Sequence, residues 1–324
     1  MSENNNSILT FSIPSSTSST PHKIHLHQAN TADEDQGQAE TNTGFVMWPS
    51  AVMLSHHISK NPSIVLGDEN SPDGDVMELG AGCGLVGLTA ATLLQESNSA
   101  ASDDSGDVTS TTVTNNNEDK VIFTDYNPAV LQNLQKNIDL NDFDVDHKVF
   151  GLDWFDQSEH HERQLQEQQE QKDNDDDTTT DQESNTTATT WIDVEGNEHA
   201  QVRLILGADL LVCTNDADLV ASTIDSALIT GGKAFILGAD EYKRFGVRNF
   251  PDACRQLGLH VVVQEDLLGT DFAAEEKADG TMMHERLMEE LELGGYNQRA
   301  ATMDHDFTFF EITKPIVGGK AVVA

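Results

Sequence analysis

Asp75-Val76-Met77-Glu78-Leu79-Gly80-Ala81-Gly82-Cys83-Gly84, followed by the apolar, Ala-rich run Leu85 to Leu94, is the stretch that decides the fold. Its first five residues read as a short buried strand. Its last ten read as a helix. Between them, three alternating glycines let the backbone turn sharply and approach a ligand, with the helix N–H groups facing it. A strand, a glycine bend and a helix in this order open a βαβ unit.

Working outward, the same alternation continues. Lys120 to Asp125 is the next strand. Asn127-Pro128 opens a helix, with Asn as the cap and Pro in the first turn, and Val130, Leu131, Leu134 and Ile138 recur at helical spacing. Strands follow at His147–Leu152, Gln201–Ala208, Lys233–Leu237 and Leu259–Val263, with helices at Asp216–Ile229 and Phe250–Leu257. Phe307–Thr313 is the last strand and forms an antiparallel pair with the one before it. Ahead of the bend, His22 to Gln28 alternates as a strand, Thr43 to Met47 is a hairpin partner for it, and Pro49 starts a helix through Lys60. The expected fold is α/β: a doubly wound, seven-stranded, Rossmann-like sheet with an antiparallel last strand, plus an N-terminal hairpin.

The glycines alone are ambiguous, because Gly82-x-Gly84-x-x-Gly87 also satisfies a dinucleotide fingerprint. Such a site expects a ribose-binding acid about 20 residues on, at the end of the next strand. Asp125 lies 41 residues past Gly84, and 22 of these are the polar tract 97–118, which leaves 19. Glu78, two residues before the first glycine, is placed to hold an ammonium group and would oppose a pyrophosphate. With the antiparallel last strand, this favours S-adenosylmethionine over a nicotinamide cofactor. A nicotinamide-dependent oxidoreductase stays as the weaker alternative.

Four segments carry a more specific resemblance: Gly44-Phe45-Val46-Met47-Trp48-Pro49-Ser50-Ala51, Glu78 through Leu88, Thr124-Asp125-Tyr126-Asn127, and Leu152-Asp153-Trp154. Together they resemble the family 16 class I methyltransferases, which include protein-lysine methyltransferases of the cytosol and nucleus. The resemblance implies that S-adenosylmethionine is the cofactor and that Trp48, Glu78, Gly80, Gly82, Gly84, Asp125, Trp154 and the strand-end Ala208 bind it. Trp48 would lie beside the cofactor, the glycines cradle its methionine end, Asp125 takes the ribose hydroxyls, and Trp154 flanks the adenine. After the fourth strand the family usually has Asp-x-x-Tyr at the acceptor end of the pocket. Here the run is Asp209-Leu210-Leu211-Val212. Asp209 is then the candidate catalytic residue, orienting an amine or taking its proton. Val212 in the Tyr position opens a second possibility, a cofactor-binding interaction protein with weak catalysis.

The charge is −38, from 18 Lys and Arg against 56 Asp and Glu. A nucleic acid would be repelled by this surplus, whereas a lysine-rich protein segment would be attracted. The acid concentrates in polar tracts at 97–118 and 157–190, which read as disordered insertions in a domain spanning 22–315, between tails at 1–21 and 316–324. No run approaches a membrane span, and no secretory signal is visible at Met1-Ser2-Glu3-Asn4. A monomer in the cytoplasm or nucleus is expected. Three cysteines cannot staple a chain of 324 residues, and Cys83, Cys213 and Cys254 are expected as free thiols. His22, His25 and His27 read as a surface strand rather than a metal site, and His56-His57 as structural. Lys243, Arg244 and Arg248 form a basic cluster, read as a solvated loop. Thr281 to Leu293 reads as an acidic amphipathic helix at the sheet edge.

Overall fold

The structure, a computed structural model, describes residues 7–13, 15, 20–28, 43–103, 119–174, 189–239, 244–264 and 307–316, with backbone alone at 7, 28, 43, 100–103 and 171–174. At its centre is a seven-stranded sheet. Its strands are β3 (Val76–Leu79), β4 (Val121–Asp125), β5 (His147–Gly151), β8 (Val202–Ala208), β9 (Leu228–Ala239), β10 (His260–Gln264) and β11 (Phe307–Thr313). The order across the sheet is β10-β11-β9-β8-β3-β4-β5. Neighbours from β9 to β5 are parallel, and β11 runs antiparallel to both β9 and β10. The doubly wound, seven-stranded sheet with its antiparallel last strand is the class I methyltransferase fold expected from the sequence. Strands β3 and β8 are buried along nearly their whole length because both of their faces are covered, and apart from Glu78 and Arg203 they carry only apolar residues and glycine.

One face carries α1 (Pro49–Lys60), α3 (Leu85–Asp103) and α4 (Pro128–Asp139). The other carries α5 (Trp154–Asn174), α6 (Thr214–Ala227) and α7 (Phe245–Gln256). A short helix α2 (Ser63–Leu66) follows α1. The chain builds outward from β3 through β4 to β5, then returns to the other side of β3 for β8 and β9. The reversal leaves a crevice above the carboxyl ends of β3 and β8, the usual ligand position in such sheets.

Several expectations need correction. The partner of β2 (His22–Gln28) is β1 (Ser7–Ile13), not Thr43–Met47; Thr43–Phe45 is a 3-10 turn instead. Residues 7–13 are therefore not part of a disordered tail. Leu9, Phe11 and Ile13 alternate and are buried, which gives this strand a face to pack. The first seven residues of the 97–118 tract continue α3, and residues 157–174 belong to α5. Gln157 and His161 on α5 are buried, Gln157 bonding Ser226 at 2.8 Å and His161 bonding Asp225 at 2.9 Å. A polar helix thus docks through side-chain hydrogen bonds rather than an apolar stripe. A small hairpin, β6 (Trp191–Ile192) with β7 (Glu198–His199), follows. Residues 104–118 and 175–188 of the two tracts, Lys243 and the helix expected at Thr281–Leu293 lie outside the described residues.

Candidate functional site

A cavity of about 480 Å³ opens at the crevice. Every residue that the sequence marked for ligand binding lines it: Trp48, Glu78, Gly80, Gly82, Gly84, Asp125, Trp154, Ala208 and Asp209. They come from five separate places in the chain, each fixed by local rules. Trp48 is the residue before Pro49, so it sits at the N-cap of α1 in extended backbone. Asp125 ends β4, and Asn127 caps α4 by accepting from Ala129 N at 2.9 Å. Asp153 accepts from Phe155 N at 2.8 Å, which caps α5 and sets Trp154 at its first position.

The bend is pinned from several sides. Gly82 has φ +53, and a Cβ there would lie 3.2 Å from the carbonyl of Gly44. Glycine meets both demands, the left-handed backbone and the close approach. Gly82 N donates to Asp125 Oδ2 at 3.2 Å, and Asn127 N donates to Oδ1 at 3.1 Å. The carboxylate at the end of β4 is thus on the same side of the sheet as the bend and bonded to it. Burial pushes the Asp125 carboxyl above its usual range, opposed by these backbone bonds. Glu78 is buried and accepts from Gly87 N at 2.9 Å. Burial raises its carboxyl to about 8, against partial relief from the Gly87 and Val86 backbone. The Cys83 thiol, also buried, is pushed up to about 12 and stays protonated.

The opposite end is built differently. Asp209 is a non-glycine residue with φ +57, a conformation that Asp tolerates better than most. Its carboxylate accepts a two-pronged bond from Arg244, Nε to Oδ1 at 3.0 Å and Nη2 to Oδ2 at 2.9 Å. The guanidinium carbon stands 5.3 Å from the Trp48 ring centre, within cation–π range. Arg244 was placed by its sequence context in a solvated loop, and instead it joins two of the marked residues. Val212 is exposed at the rim with Tyr126 and Phe155, and all three line the cavity.

Glu78, Asp125, Asp153, Asp209 and Asp216 all line the cavity, and no Lys, Arg or His among the described lining residues does. The chemistry that suits this wall is a ligand carrying positive charge and hydroxyl groups. Elsewhere, His25 Nδ1 meets Thr10 Oγ1 at 3.1 Å and His22 pairs with Glu96 on α3. Among the described residues no group of three or more His, Cys, Asp or Glu could hold a metal ion. No helix of the described residues is long and apolar enough to cross a membrane.

No curated protein sequence matches the chain. Among solved structures, a TehB-like SAM-dependent methyltransferase from Corynebacterium glutamicum is similar at 12% identity and a TM-score of 0.39, over 88% of this chain and 96% of that one. The precorrin 8W decarboxylase of Methanobacterium thermoautotrophicum is similar at 11% identity and a TM-score of 0.36, over 78% and 89%. The strand order, not these overlaps, fixes the fold. Over residues 31–170, which carry Trp48, the glycine bend, Asp125 and Trp154, the chain matches the family of lysine methyltransferases, on a sheet with the strand order of a class I methyltransferase.

Proposed function

We propose that this methyltransferase moves a methyl group from S-adenosylmethionine to a lysine amine of a protein partner, working as a monomer in the cytoplasm or nucleus. The observation that carries the reading is the charge of the cavity. Two buried carboxylates, Glu78 and Asp125, are bonded by backbone N–H groups at the bend, and the described lining residues add no base. A cation with a ribose fits this wall, whereas a pyrophosphate does not. A volume of about 480 Å³ lies within the usual range of small-molecule sites, about 300–1,000 Å³.

When bound, the cofactor supplies an electrophilic methyl group on a sulfonium, so the protein needs mainly to hold and align. Asp125, already fixed by the Gly82 and Asn127 amides, would accept from the ribose hydroxyls through its two carboxylate oxygens. Glu78 sits behind the bend and, once ionised, would balance the ammonium of the methionine end. Trp154, its ring 3.4 Å from where a Cβ on Gly80 would stand, would flank the adenine. At the acceptor end, Trp48, Leu210 and Val212 shed water from the incoming amine, which favours its neutral, nucleophilic form. Asp209 is occupied by Arg244, so its part is to fix the wall beside Trp48 rather than to take a proton. Most of the rate gain then comes from proximity and alignment. The acidic chain as a whole favours encounter with a lysine-rich segment.

A second reading has its own support: Val212 in the usual Tyr position, with Asp209 already paired, suits a protein that binds cofactor and partner with little turnover. One experiment separates the two. The purified full-length protein is incubated with methyl-labelled cofactor and a cell extract, and labelled proteins are digested to amino acids. Label in methyl-lysine is the expected result. Cofactor binding without any label transfer would favour the second reading, and absence of cofactor binding would remove both.

A further inference from the structure

The N-terminal hairpin is held against α4 by a row of asparagines, one of which also bonds the glycine bend. Strand β2 uses one edge to pair with β1. Its other edge meets α4 and the turn after it, where Asn133, Asn137 and Asn141 recur every fourth residue. Asn141 accepts from His25 N at 2.8 Å and donates to His25 O at 2.8 Å. Asn137 accepts from His27 N at 2.6 Å and donates to His27 O at 3.3 Å, where Asn133 also donates at 3.2 Å. The spacing explains the match. Four residues of helix rise about 6 Å, and two residues of strand rise about 6.6 Å. Side-chain amides thus complete the open edge of β2 as a neighbouring strand would.

Asn137 does one thing more. It is fully buried, and its Nδ2 donates to the carbonyl of Cys83 at 2.9 Å, between Gly82 and Gly84. A single amide therefore ties the backbone of His27 to the glycine bend. Neither β1 nor β2 lines the cavity.

We propose that Asn137 is a positioning residue for the bend, and that through it docking of the N-terminal hairpin and filling of the cavity favour each other. The inference rests on the cofactor reading above. Coupling of this kind is reciprocal: what steadies the bend steadies the hairpin edge, and the reverse.

The test uses the full chain and S-adenosylhomocysteine as probe. Calorimetry compares the wild type with Asn137→Ala and Asn141→Ala, and thermal midpoints show that each variant is folded. Asn141→Ala removes two hairpin bonds but none to the bend. The expected result is affinity about ten-fold lower in Asn137→Ala and within about two-fold of wild type in Asn141→Ala. Should Asn137→Ala not fold, Asn137→Asp keeps the acceptor for His27 N and lacks the donor for Cys83 O, and the same loss is expected. Hydrogen exchange gives a second readout: the probe slows exchange of the His27 amide in the wild type and not in the Asn137 variants. Equal affinities for the Asn137 and Asn141 variants, or a His27 amide indifferent to the probe, would overturn the coupling. Failure of the wild type to bind the probe would instead remove the cofactor reading itself.

Discussion

The two ends of the cavity hold their carboxylates by opposite means. At the bend, Asp125 and Glu78 are bonded by backbone N–H groups, and burial raises both. At the far end, Asp209 is bonded by both prongs of the Arg244 guanidinium, which also stands over Trp48. The first arrangement leaves buried carboxyls whose charged form a cationic ligand would stabilise. In the second, the charge is neutralised within the protein. A site that takes a cation at one end and desolvates an amine at the other needs this difference, because an extra carboxylate beside the amine would keep it protonated.

The sharpest way to break the comparison is Asp125→Ala. It deletes the acceptor of both ribose hydroxyls, at about 1.5–3 kcal/mol for each bond to a charged group, so cofactor affinity should fall by at least about 100-fold. Titration calorimetry checks this. Gly82→Ala comes next: it forces a side chain into left-handed backbone at about 1–2 kcal/mol, so affinity should fall about ten-fold with the far end intact. Arg244→Ala probes the opposite end. Cofactor affinity should stay within about three-fold, while urea unfolding should show a loss of about 1–3 kcal/mol from the stranded Asp209. Arg244→Lys should recover little of that loss, since an ammonium cannot make the planar fork.

The smallest effect is in pH. The folded carboxyl of Glu78, at about 8, lies above its ordinary value of 4.5. It therefore lowers the stability of the ligand-free protein progressively as pH rises between these values. A cationic ligand favours the ionised form, so binding near neutral pH should release protons, and affinity should rise up to about pH 8 and level off. Glu78→Gln should be more stable than wild type at pH 8 and should lose most of that pH dependence in binding. Calorimetry in buffers of different ionisation enthalpy measures the proton release.

How much was legible in the sequence follows from how local each signal is. The bend, Asp125 and Asn127-Pro128 could be placed because turn chemistry and capping act within a few residues. Asp125 needed one further step, the recognition that a polar tract inflated its distance from the bend. Four features were missed for a different reason. Strand β1 is only seven residues in a polar surround, and its apolar alternation gains meaning only against the core. Helix α5 is polar along most of its length and is anchored by Gln157 and His161, which composition alone assigns to a loop. Arg244 and Asn137 bond partners 35 and 54 residues away, and nothing in their immediate surroundings points there. Asn133, Asn137 and Asn141 did leave a trace, a four-residue spacing of one residue type, but an exposed polar helix face would show the same.

The most direct test of the central claim is titration of the full-length protein with S-adenosylmethionine and, separately, with a nicotinamide dinucleotide, each repeated on Asp125→Ala. The account predicts one equivalent of S-adenosylmethionine bound at micromolar levels by the wild type, none by the variant, and no dinucleotide bound by either. Preference for the dinucleotide, or S-adenosylmethionine binding that survives the loss of Asp125, would contradict it.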